Sequence, residues 1–257
     1  MKIATWNVNS IRARQERLLG WLASAQPDVL CLQELKCVDE GFPAEELRAA
    51  GYHSACFGQK TYNGVAILAR TELTDVSRGL EDGVDDPQAR VIGATVNGVR
   101  VYSVYAPNGQ AVDSPAYEYK LEFYARLRRY LDAHHSKDDR VVLGGDWNIA
   151  PEPIDVHDPA AWEGQTLFSI PERNALETLW EFGLVDTWRK KNPDEQKFSW
   201  WDYRMLGFPK NKGLRIDHIF ASWPLAERIR ASEIDREARK GKQPSDHAPV
   251  WTDFDVA

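Results

Sequence analysis

Residues 140–148 of the chain are Arg-Val-Val-Leu-Gly-Gly-Asp-Trp-Asn, and this stretch decides the fold class. Its first four residues form a short, very apolar run, which predicts a strand buried in a sheet. The two glycines allow a tight backbone where the strand ends, and Asp146 and Asn148 follow directly. Polar side chains at the end of a buried strand are typical of α/β proteins, whose active sites gather at strand ends.

The segments around this strand alternate between strand and helix patterns. Val99–Tyr105 predicts a strand, and Asn97-Gly98 before it predicts a hairpin turn after Val91–Val96, so antiparallel pairing is present. Between this hairpin and residues 140–143, one apolar stripe at helical spacing predicts a helix. The stripe consists of Tyr117, Leu121, Tyr124, Leu127 and Leu131.

The chain begins with the same rhythm. Residues 2–6 predict a strand that ends at Asn7, and Ser10 is a plausible N-cap for the helix after it. Val29–Gln33 predicts a second buried strand, which ends at Glu34. A further strand is expected at Val65–Ala69.

The second half has fewer regular patterns. Residues 151–171 are rich in Pro, Asp and Trp and predict a surface loop, and residues 173–182 return to a helix. Strands are expected at 215–221 and 249–254. No linker, repeat or low-complexity tract interrupts the chain, so we expect one domain over residues 1–257.

The composition is that of an ordinary soluble protein, with 257 residues, 43% hydrophobic and 28% charged. Three cysteines without a C-x-x-C pair fit a reducing compartment. The N-terminus lacks the pattern of an export signal, and no apolar run approaches the roughly 18 residues of a membrane span. We therefore expect a cytoplasmic protein without a membrane segment.

The net charge of −7 is unfavourable for a nucleic-acid enzyme, because phosphate binding relies on Lys and Arg. A divalent cation held by clustered carboxylates would offset part of this charge. Residues 204–215 and 236–242 are locally basic. From the charge runs alone, a solvated surface is the favoured interpretation of both stretches.

Polar side chains recur where apolar strands end, and each of them alone is equally well a cap or a turn residue. They are Asn7, Glu34, Tyr105, Asp146, Asn148 and Asp217. Asp217 is different because it lies between Ile216 and His218 within an apolar segment, where a buried carboxylate needs a partner or a metal. His247, beside Asp246 at a strand entrance, is the partner we choose for it.

The ligand types predict a hard cation. Carboxylate and amide oxygens suit Mg²⁺ or, as its substitute, Mn²⁺, whereas Zn²⁺ would require a His or Cys cluster that the chain lacks. Glu34 is the best ligand candidate.

Seven blocks in order resemble the exonuclease III family of abasic-site endonucleases, and the resemblance covers nearly the whole chain. The blocks are Trp-Asn-Val-Asn at 6–9, Gln-Glu-Leu-Lys at 33–36, Tyr-Asn-Gly-Val-Ala at 62–66, Tyr-Ala-Pro-Asn-Gly at 105–109, Gly-Asp-Trp-Asn at 145–148, Leu-Arg-Ile-Asp at 214–217 and Ser-Asp-His-Ala-Pro at 245–249. The resemblance implies the endonuclease, exonuclease and phosphatase fold, a four-layer α/β sandwich in which two facing mixed β-sheets are flanked by helices.

The resemblance also implies roles at the site. Glu34 would bind the metal with help from Asn7, and Asp246 would lie near the metal or the histidine.

For the reaction itself, the resemblance implies that Asp146 deprotonates or orients the attacking water and that Asn148 holds the phosphate or the nucleophile. His247, paired with Asp217, would stabilise the charged phosphate, with Tyr105 nearby.

The implied substrate is damaged double-stranded DNA, cut 5′ to an abasic site, with 3′-end trimming as a second activity. The residues expected to contact DNA are Lys36, Asn63, Asn108, Trp200, Arg204, Leu214 and Ile216. Trp200, Leu214 and Ile216 would line the pocket for the abasic sugar, although from the sequence they are equally well core residues. The enzyme is expected to act as a monomer.

Three alternatives stay open. A bulky residue such as Leu167 or Phe168 leaning into the pocket would leave an enzyme that mainly trims 3′ ends. A catalytically inactive DNA-binding module and a small-molecule phosphatase of the same fold are more distant hypotheses.

Overall fold

The structure is a computed structural model that describes residues 1–256. Its strands are β1 Lys2–Asn7, β2 Val29–Gln33, β3 His53–Phe57, β4 Val65–Ala69, β5 Thr74–Arg78, β6 Val91–Val96, β7 Val99–Tyr105, β8 Val141–Asp146, β9 Leu184–Asp186, β10 Asp217–Ser222, β11 Ile229–Ile234 and β12 Val250–Phe254. Its α-helices are α1 Ile11–Ala25, α2 Ala44–Ala49, α3 Pro115–His134, α4 Pro159–Trp162, α5 Ile170–Glu181, α6 Thr187–Lys191 and α7 Trp223–Ala226.

The strands form two mixed sheets of six strands each. The first has the order β11-β12-β1-β2-β4-β3 and the second the order β5-β6-β7-β8-β10-β9. Each has one parallel pair near its centre, β1 with β2 and β7 with β8, between antiparallel neighbours. The two sheets therefore have related internal layouts.

The sheets face each other across one apolar core. Ile67 and Val29 of the first sheet pack in the same buried cluster as Val101 and Ile219 of the second. Gly144 lies at the closest approach, because a Cβ there would come within 3.2 Å of Thr5 Cβ and 3.3 Å of Cys31 Sγ. The glycine thus allows the sheets to meet just before the polar end of β8.

Helices cover the outer faces. The buried stripe of α1 packs on the first sheet, and those of α3 and α5 pack on the second. Ser10 caps α1, since its side chain accepts from the backbone N–H of Ala13. This arrangement confirms the predicted four-layer α/β sandwich. None of the helices among residues 1–256 combines the length and the apolar composition needed to cross a bilayer.

The second half of the chain differs from its prediction in two places. Residues 151–171 contain α4 and a 3-10 turn, and they bury Val156, Leu167 and Phe168 in a satellite core, so they are not a simple surface loop. The reason is that these apolar side chains pack against Leu214 and Ile216, which precede β10.

The second difference concerns the basic stretch 204–215. Its last residue, Arg215, is only 1% exposed and pairs with Asp155 and Asp186 inside the protein. Arg204 is exposed, as expected for a solvated surface. The sequence pattern did not distinguish the two arginines because their partners come from distant segments.

Strand register brings the polar strand ends together. Tyr105 pairs with Asp146 across β7 and β8, and Asp146 pairs with Asp217 across β8 and β10. In the first sheet, Asn7 pairs with Gln33, the residue before Glu34. Both sheets therefore present their polar ends at the same edge of the sandwich.

Candidate active site

Glu34 lies directly after β2, with a left-handed backbone (φ 53°) that turns its side chain into the cleft. Its Oε1 accepts from Asn7 Nδ2 at 2.8 Å and from the Tyr105 hydroxyl at 2.9 Å. Its Oε2 pairs with Lys36 Nζ at 2.8 Å. Burial alone would raise the pKa of Glu34, but the Lys36 ammonium and the Asn7 amide outweigh it and lower the pKa. Glu34 is therefore an ionised oxygen donor.

Tyr105 keeps its proton. Burial and the Glu34 and Asp146 carboxylates raise the pKa of the Tyr105 phenol well above its ordinary value. Its hydroxyl consequently acts as a hydrogen-bond donor to Glu34, and not as a phenolate nucleophile.

Asp146 occupies the centre of the site at the end of β8. Its Oδ2 accepts from Asn7 Nδ2 at 2.8 Å, and its Oδ1 accepts from the backbone N–H of Asn148 at 3.0 Å. Burial, with the Asp217 and Glu34 carboxylates, raises the pKa of Asp146 to about 7, against the opposing effect of the His247 charge. A carboxylate with a pKa near neutrality is suited to accept a proton from water.

His247 and Asp217 form the predicted pair. His247 Nδ1 lies 2.9 Å from Asp217 Oδ2, and Ser199 Oγ donates to the same oxygen at 2.7 Å. Burial by itself would lower the pKa of His247, but the Asp217 and Asp146 carboxylates outweigh it and raise the pKa to about 10. The imidazolium then presents its Nε2 proton toward Asp146, whose Oδ2 is 3.7 Å away.

The site has a group of side chains that could hold a divalent cation. Glu34, Asp146 and His247 each offer one atom, and these atoms lie within 4.8 Å of one another. In the metal-free protein the raised pKa of His247 favours the imidazolium, which has no lone pair to offer a metal. The remaining donors are carboxylate oxygens, which suit a hard cation such as Mg²⁺.

Asn7 differs from the expected metal ligand. Its amide nitrogen donates to both Glu34 and Asp146, while its oxygen accepts from the backbone N–H of Asn9 at 3.0 Å. Because the carboxylates can only accept and the backbone N–H can only donate, these bonds determine the orientation of the amide. Asn7 therefore orients the two carboxylates, and its amide oxygen is bonded to the backbone of Asn9.

Asp246 also lies outside the donor cluster. Its Oδ1 accepts from Asn9 Nδ2 at 2.9 Å and its Oδ2 from Trp200 Nε1 at 3.1 Å. It lies beside His247, which is one of the two positions expected for it, and its bonds go to Asn9 and Trp200.

Asn9 is a site residue that the sequence analysis did not select. It donates to Asp246 and accepts from Lys36 Nζ at 2.7 Å, so it connects the two sides of the cleft. The signal available in the sequence was the second asparagine of the block at 6–9.

Asn148 joins the site through a strained turn. Its backbone is left-handed (φ 51°), its Nδ2 donates to the Ala106 carbonyl at 3.0 Å, and its Oδ1 accepts from Asn108 Nδ2 at 3.2 Å. The two amides are therefore held face to face beside Asp146.

A cavity of about 820 Å³ opens next to Asn108. Its wall includes Trp162, Leu167, Trp200 and Arg204. The rim is apolar on the side of Leu167 and Trp200, while Arg204 contributes charge and is paired with Asp202 at 2.7 Å.

Leu214 and Ile216 do not line this cavity as expected. They are 0% and 1% exposed, and they pack beneath Leu167 and Trp200 in the satellite core. They support the wall and are too deeply buried to contact a ligand directly. Leu214 forms a short β-bridge with Trp200, which lies above it at the wall.

Of the other expected DNA contacts, Lys36 lies at the cleft, whereas Asn63 does not. The Asn63 side chain is 8% exposed and donates to Gln59 and Gln88, and its carbonyl accepts from the backbone N–H of Lys36 at 3.0 Å. Its role is to shape the turn that carries Lys36.

The chain matches the model of the Endonuclease/Exonuclease/phosphatase family over residues 4–247. It belongs to this family. It is 39% identical to the exodeoxyribonuclease III of Haemophilus influenzae over 99% of this chain and 100% of that protein. The family match and this relative together confirm the resemblance inferred from the seven blocks and show that the chain is a hydrolytic nuclease.

Two solved structures superpose closely on the chain, each with full coverage of both chains. The 3′ phosphatase NExo from Neisseria, bound to a product DNA hairpin, has a TM-score of 0.96 and 44% identity. An AP endonuclease from Archaeoglobus fulgidus has a TM-score of 0.96 and 40% identity. The two relatives are named for different activities. The shared fold therefore does not determine which DNA end or lesion is preferred, and this preference depends on the residues of the site.

Proposed function

We propose that the protein is a magnesium-dependent DNA repair phosphodiesterase that cuts 5′ to abasic sites and trims 3′ ends with the same centre. The observation that carries the proposal is the position of Asp146. It lies between the amide of Asn7 and the imidazolium of His247, within reach of the oxygen donors of Glu34.

The side chains divide the reaction among them. Asp146 takes the proton of the attacking water, and the Asn148 amide orients that water or the phosphate. The His247 imidazolium, held by Asp217, donates toward the phosphate oxygen on which charge develops. Mg²⁺ at Glu34 would neutralise phosphate charge and stabilise the leaving oxygen. Lys36 adds a positive charge at the cleft.

An abasic nucleotide fits the cavity beside this centre. Because it has no base to stack or pair, rotating its sugar out of the duplex is cheap, and a pocket with an apolar rim can select it by excluding intact nucleotides. Leu167 and Trp200 provide such a rim next to Asn108.

The rival function, an enzyme that mainly trims 3′ ends, is favoured by one observation. Leu167 is bulky, stands at the cavity wall and has a left-handed backbone (φ 81°), which is a rare conformation for leucine. Such a conformation persists only where the surroundings enforce it. A leucine held at the rim would bar an internal sugar and admit a frayed 3′ end.

The test compares incision of a duplex carrying one internal abasic analogue with trimming of a recessed 3′ end. We expect wild type to perform both and Trp200→Ala to lose internal incision by about tenfold or more, because the rim that selects the sugar is lost. The rival function predicts that Leu167→Ala raises internal incision relative to trimming. Strong trimming with no incision in wild type would overturn the abasic-site assignment, and a gain of incision in Leu167→Ala would then place the barrier at the rim.

We expect activity to disappear in excess EDTA and to return with Mg²⁺ or Mn²⁺, since the donors are carboxylate oxygens. Glu34→Gln should raise the Mg²⁺ concentration needed for half activity by about tenfold or more. Glu45→Gln, an exposed carboxylate on α2, is the control and should leave this concentration unchanged. Full activity in EDTA would contradict the metal assignment. Activity under either condition would exclude a binding module, which has no activity at all.

The pH dependence of Mg²⁺ binding provides a second measurement. Without metal, Asp146 is protonated below about pH 7, and a proton competes with a cation for its oxygens. Mg²⁺ affinity should therefore rise as the pH increases through about 7 and should level off above it, with proton release on binding detectable by calorimetry in two buffers. Affinity that is flat from pH 5 to pH 9 would contradict this assignment of the Asp146 pKa.

The proposal extends to the organisation of the protein. Both sheets supply site residues, Asn7 and Glu34 from the first and Asp146 and Asp217 from the second, which supports one domain over residues 1–257. Among residues 1–256 all three cysteines are free, which supports a reducing compartment such as the cytoplasm. The complete donor set within one chain supports action as a monomer. A small-molecule phosphatase of the same fold would instead leave these DNA substrates uncut and would hydrolyse small phosphate monoesters.

A further inference from the structure

A buried ion pair lies behind the catalytic cleft, between α3 and α5. The side chains of Lys120 and Glu172 are both 0% exposed, and Lys120 Nζ lies 2.5 Å from Glu172 Oε1. Burying a charged pair costs free energy unless every remaining hydrogen-bonding position is also satisfied. The partners of this pair therefore indicate what it holds in place.

All three protons of Lys120 are used. Besides Glu172, the ammonium donates to the backbone carbonyl of Asn148 at 2.6 Å and to that of Asn108 at 3.1 Å. These are the two residues whose side-chain amides face each other beside Asp146. Lys120 thus fixes the backbone at both ends of that amide contact. It also fixes Asn148 in its left-handed conformation (φ 51°).

Glu172 uses all of its acceptor positions on the rim of the cavity. Its Oε1 accepts from the backbone N–H of Leu167 at 3.0 Å, and its Oε2 accepts from the backbone N–H and the hydroxyl of Ser169 at 3.0 and 2.5 Å. Leu167, like Asn148, has a left-handed backbone. Its carbonyl also accepts from the backbone N–H of Ala150 at 2.8 Å. This hydrogen bond connects the rim to the segment that directly follows the Asn148 turn.

We propose that Lys120 and Glu172 are positioning residues that lock the Asn148 turn and the Leu167 rim to each other, so that one buried pair governs both the turnover of the phosphodiester and the choice between internal abasic sites and 3′ ends. The inference rests on the proposed function for the second of these effects. Two strained backbones that share one ion pair cannot relax separately, because moving either one leaves a buried charge without a partner.

The test uses Glu172→Gln and the double variant Lys120→Met/Glu172→Gln. The double variant carries no unpaired buried charge. It should lower kcat for 3′ trimming by about 10–100-fold while KM stays within about threefold, because Asn148 loses its orientation in the transition state. Glu172→Gln loses an acceptor for the loop N–H groups, so amide exchange at Leu167 and Ser169 should accelerate by about tenfold or more. The ratio of internal incision to trimming should rise with it.

Thr187→Val is the matched control. It removes a buried hydroxyl that bonds the Ile219 carbonyl at 2.9 Å and Thr252 Oγ1 at 2.7 Å and that takes no part in the contacts of Lys120 or Glu172. It should lower stability without changing the kcat of the folded enzyme, the substrate ratio or exchange at Leu167.

Two results would overturn the coupling. One is a double variant with wild-type kcat, and the other is Glu172→Gln with wild-type exchange at Leu167 and an unchanged substrate ratio. If Glu172→Gln does not fold, because it leaves the Lys120 charge buried without its partner, the double variant alone decides by kcat, amide exchange at Leu167 and the substrate ratio. Absence of internal incision in every protein would contradict the abasic-site assignment, while trimming and amide exchange would still decide the role of the pair.

Discussion

Asp146→Asn should lower kcat by about 10²–10⁴-fold, because it removes the carboxylate that the proposed mechanism assigns to accept the proton of the attacking water. The amide preserves the shape of the side chain and can still accept at its oxygen from Asn7 or from the Asn148 N–H. DNA affinity should stay within a few-fold of wild type, since the lost interaction acts on the transition state.

His247→Asn should have an effect of similar size for a different reason. It removes the positive charge near Asp146 and leaves Asp217 buried without its ion-pair partner. The measurement is single-turnover cleavage of a labelled duplex, together with equilibrium binding in Ca²⁺ or EDTA. His53→Asn on β3, at the outer edge of the first sheet, is the control and should behave as wild type. Near wild-type turnover in either site variant would show that the role assigned to that residue is wrong.

Arg215→Met should be the most destabilising of the single changes considered, with a loss of about 3–5 kcal/mol in the free energy of unfolding. Arg215 makes two bonds to Asp155, at 2.6 and 3.0 Å, and one to Asp186 at 2.7 Å. Removing the guanidinium leaves two carboxylates that are largely or wholly buried and lack their main counter-charge. The measurement is urea unfolding at neutral pH. Arg189→Met, which removes a partly exposed partner of Asp155, should cost less.

The same network predicts an acid-dependent loss of stability. Burial alone would raise the pKa of Asp186, but Arg215 outweighs it and holds the pKa well below the ordinary value of 3.8. A depressed pKa contributes stability that is present above about pH 4 and is lost as the pH falls below it. This loss should shrink in Arg215→Met. If Arg215→Met lowered the free energy of unfolding by less than about 1 kcal/mol at neutral pH, the network would not be required for stability.

The layers of the fold and the chemical centre were predictable from the sequence. Short apolar runs ending in polar residues located the central strands. A strand that is buried on both faces is apolar throughout, and the site residues at its end interrupt that run with polar side chains. The pairing of Asp217 with His247 also followed from local reasoning. A carboxylate inside an apolar strand must find a partner, and the histidine at the next strand entrance was a suitable one.

Only the tertiary structure decided which atoms face the cleft. Asn7 and Asp246 are both at the site. Where the two sheets meet, the Asn7 amide nitrogen faces the carboxylates, and the Asp246 carboxylate accepts hydrogen bonds from Asn9 and Trp200. Composition does not record the direction of a hydrogen bond, since the partner belongs to a distant strand.

Burial of charge was decided in the same way. Lys120 and Arg215 look like solvated residues in the sequence, because a charge in a helix or a basic run is usually exposed. Both are enclosed, since their counter-charges at Glu172, Asp155 and Asp186 arrive from segments at least 29 residues away. Sequence by itself thus determined the inner strands of both sheets and the chemistry at their ends, whereas the edge strands β3, β5, β9 and β11 were not predicted. The packing of the two sheets and the satellite core determined which charges are buried, and with them the rigidity of the catalytic turn and of the cavity rim.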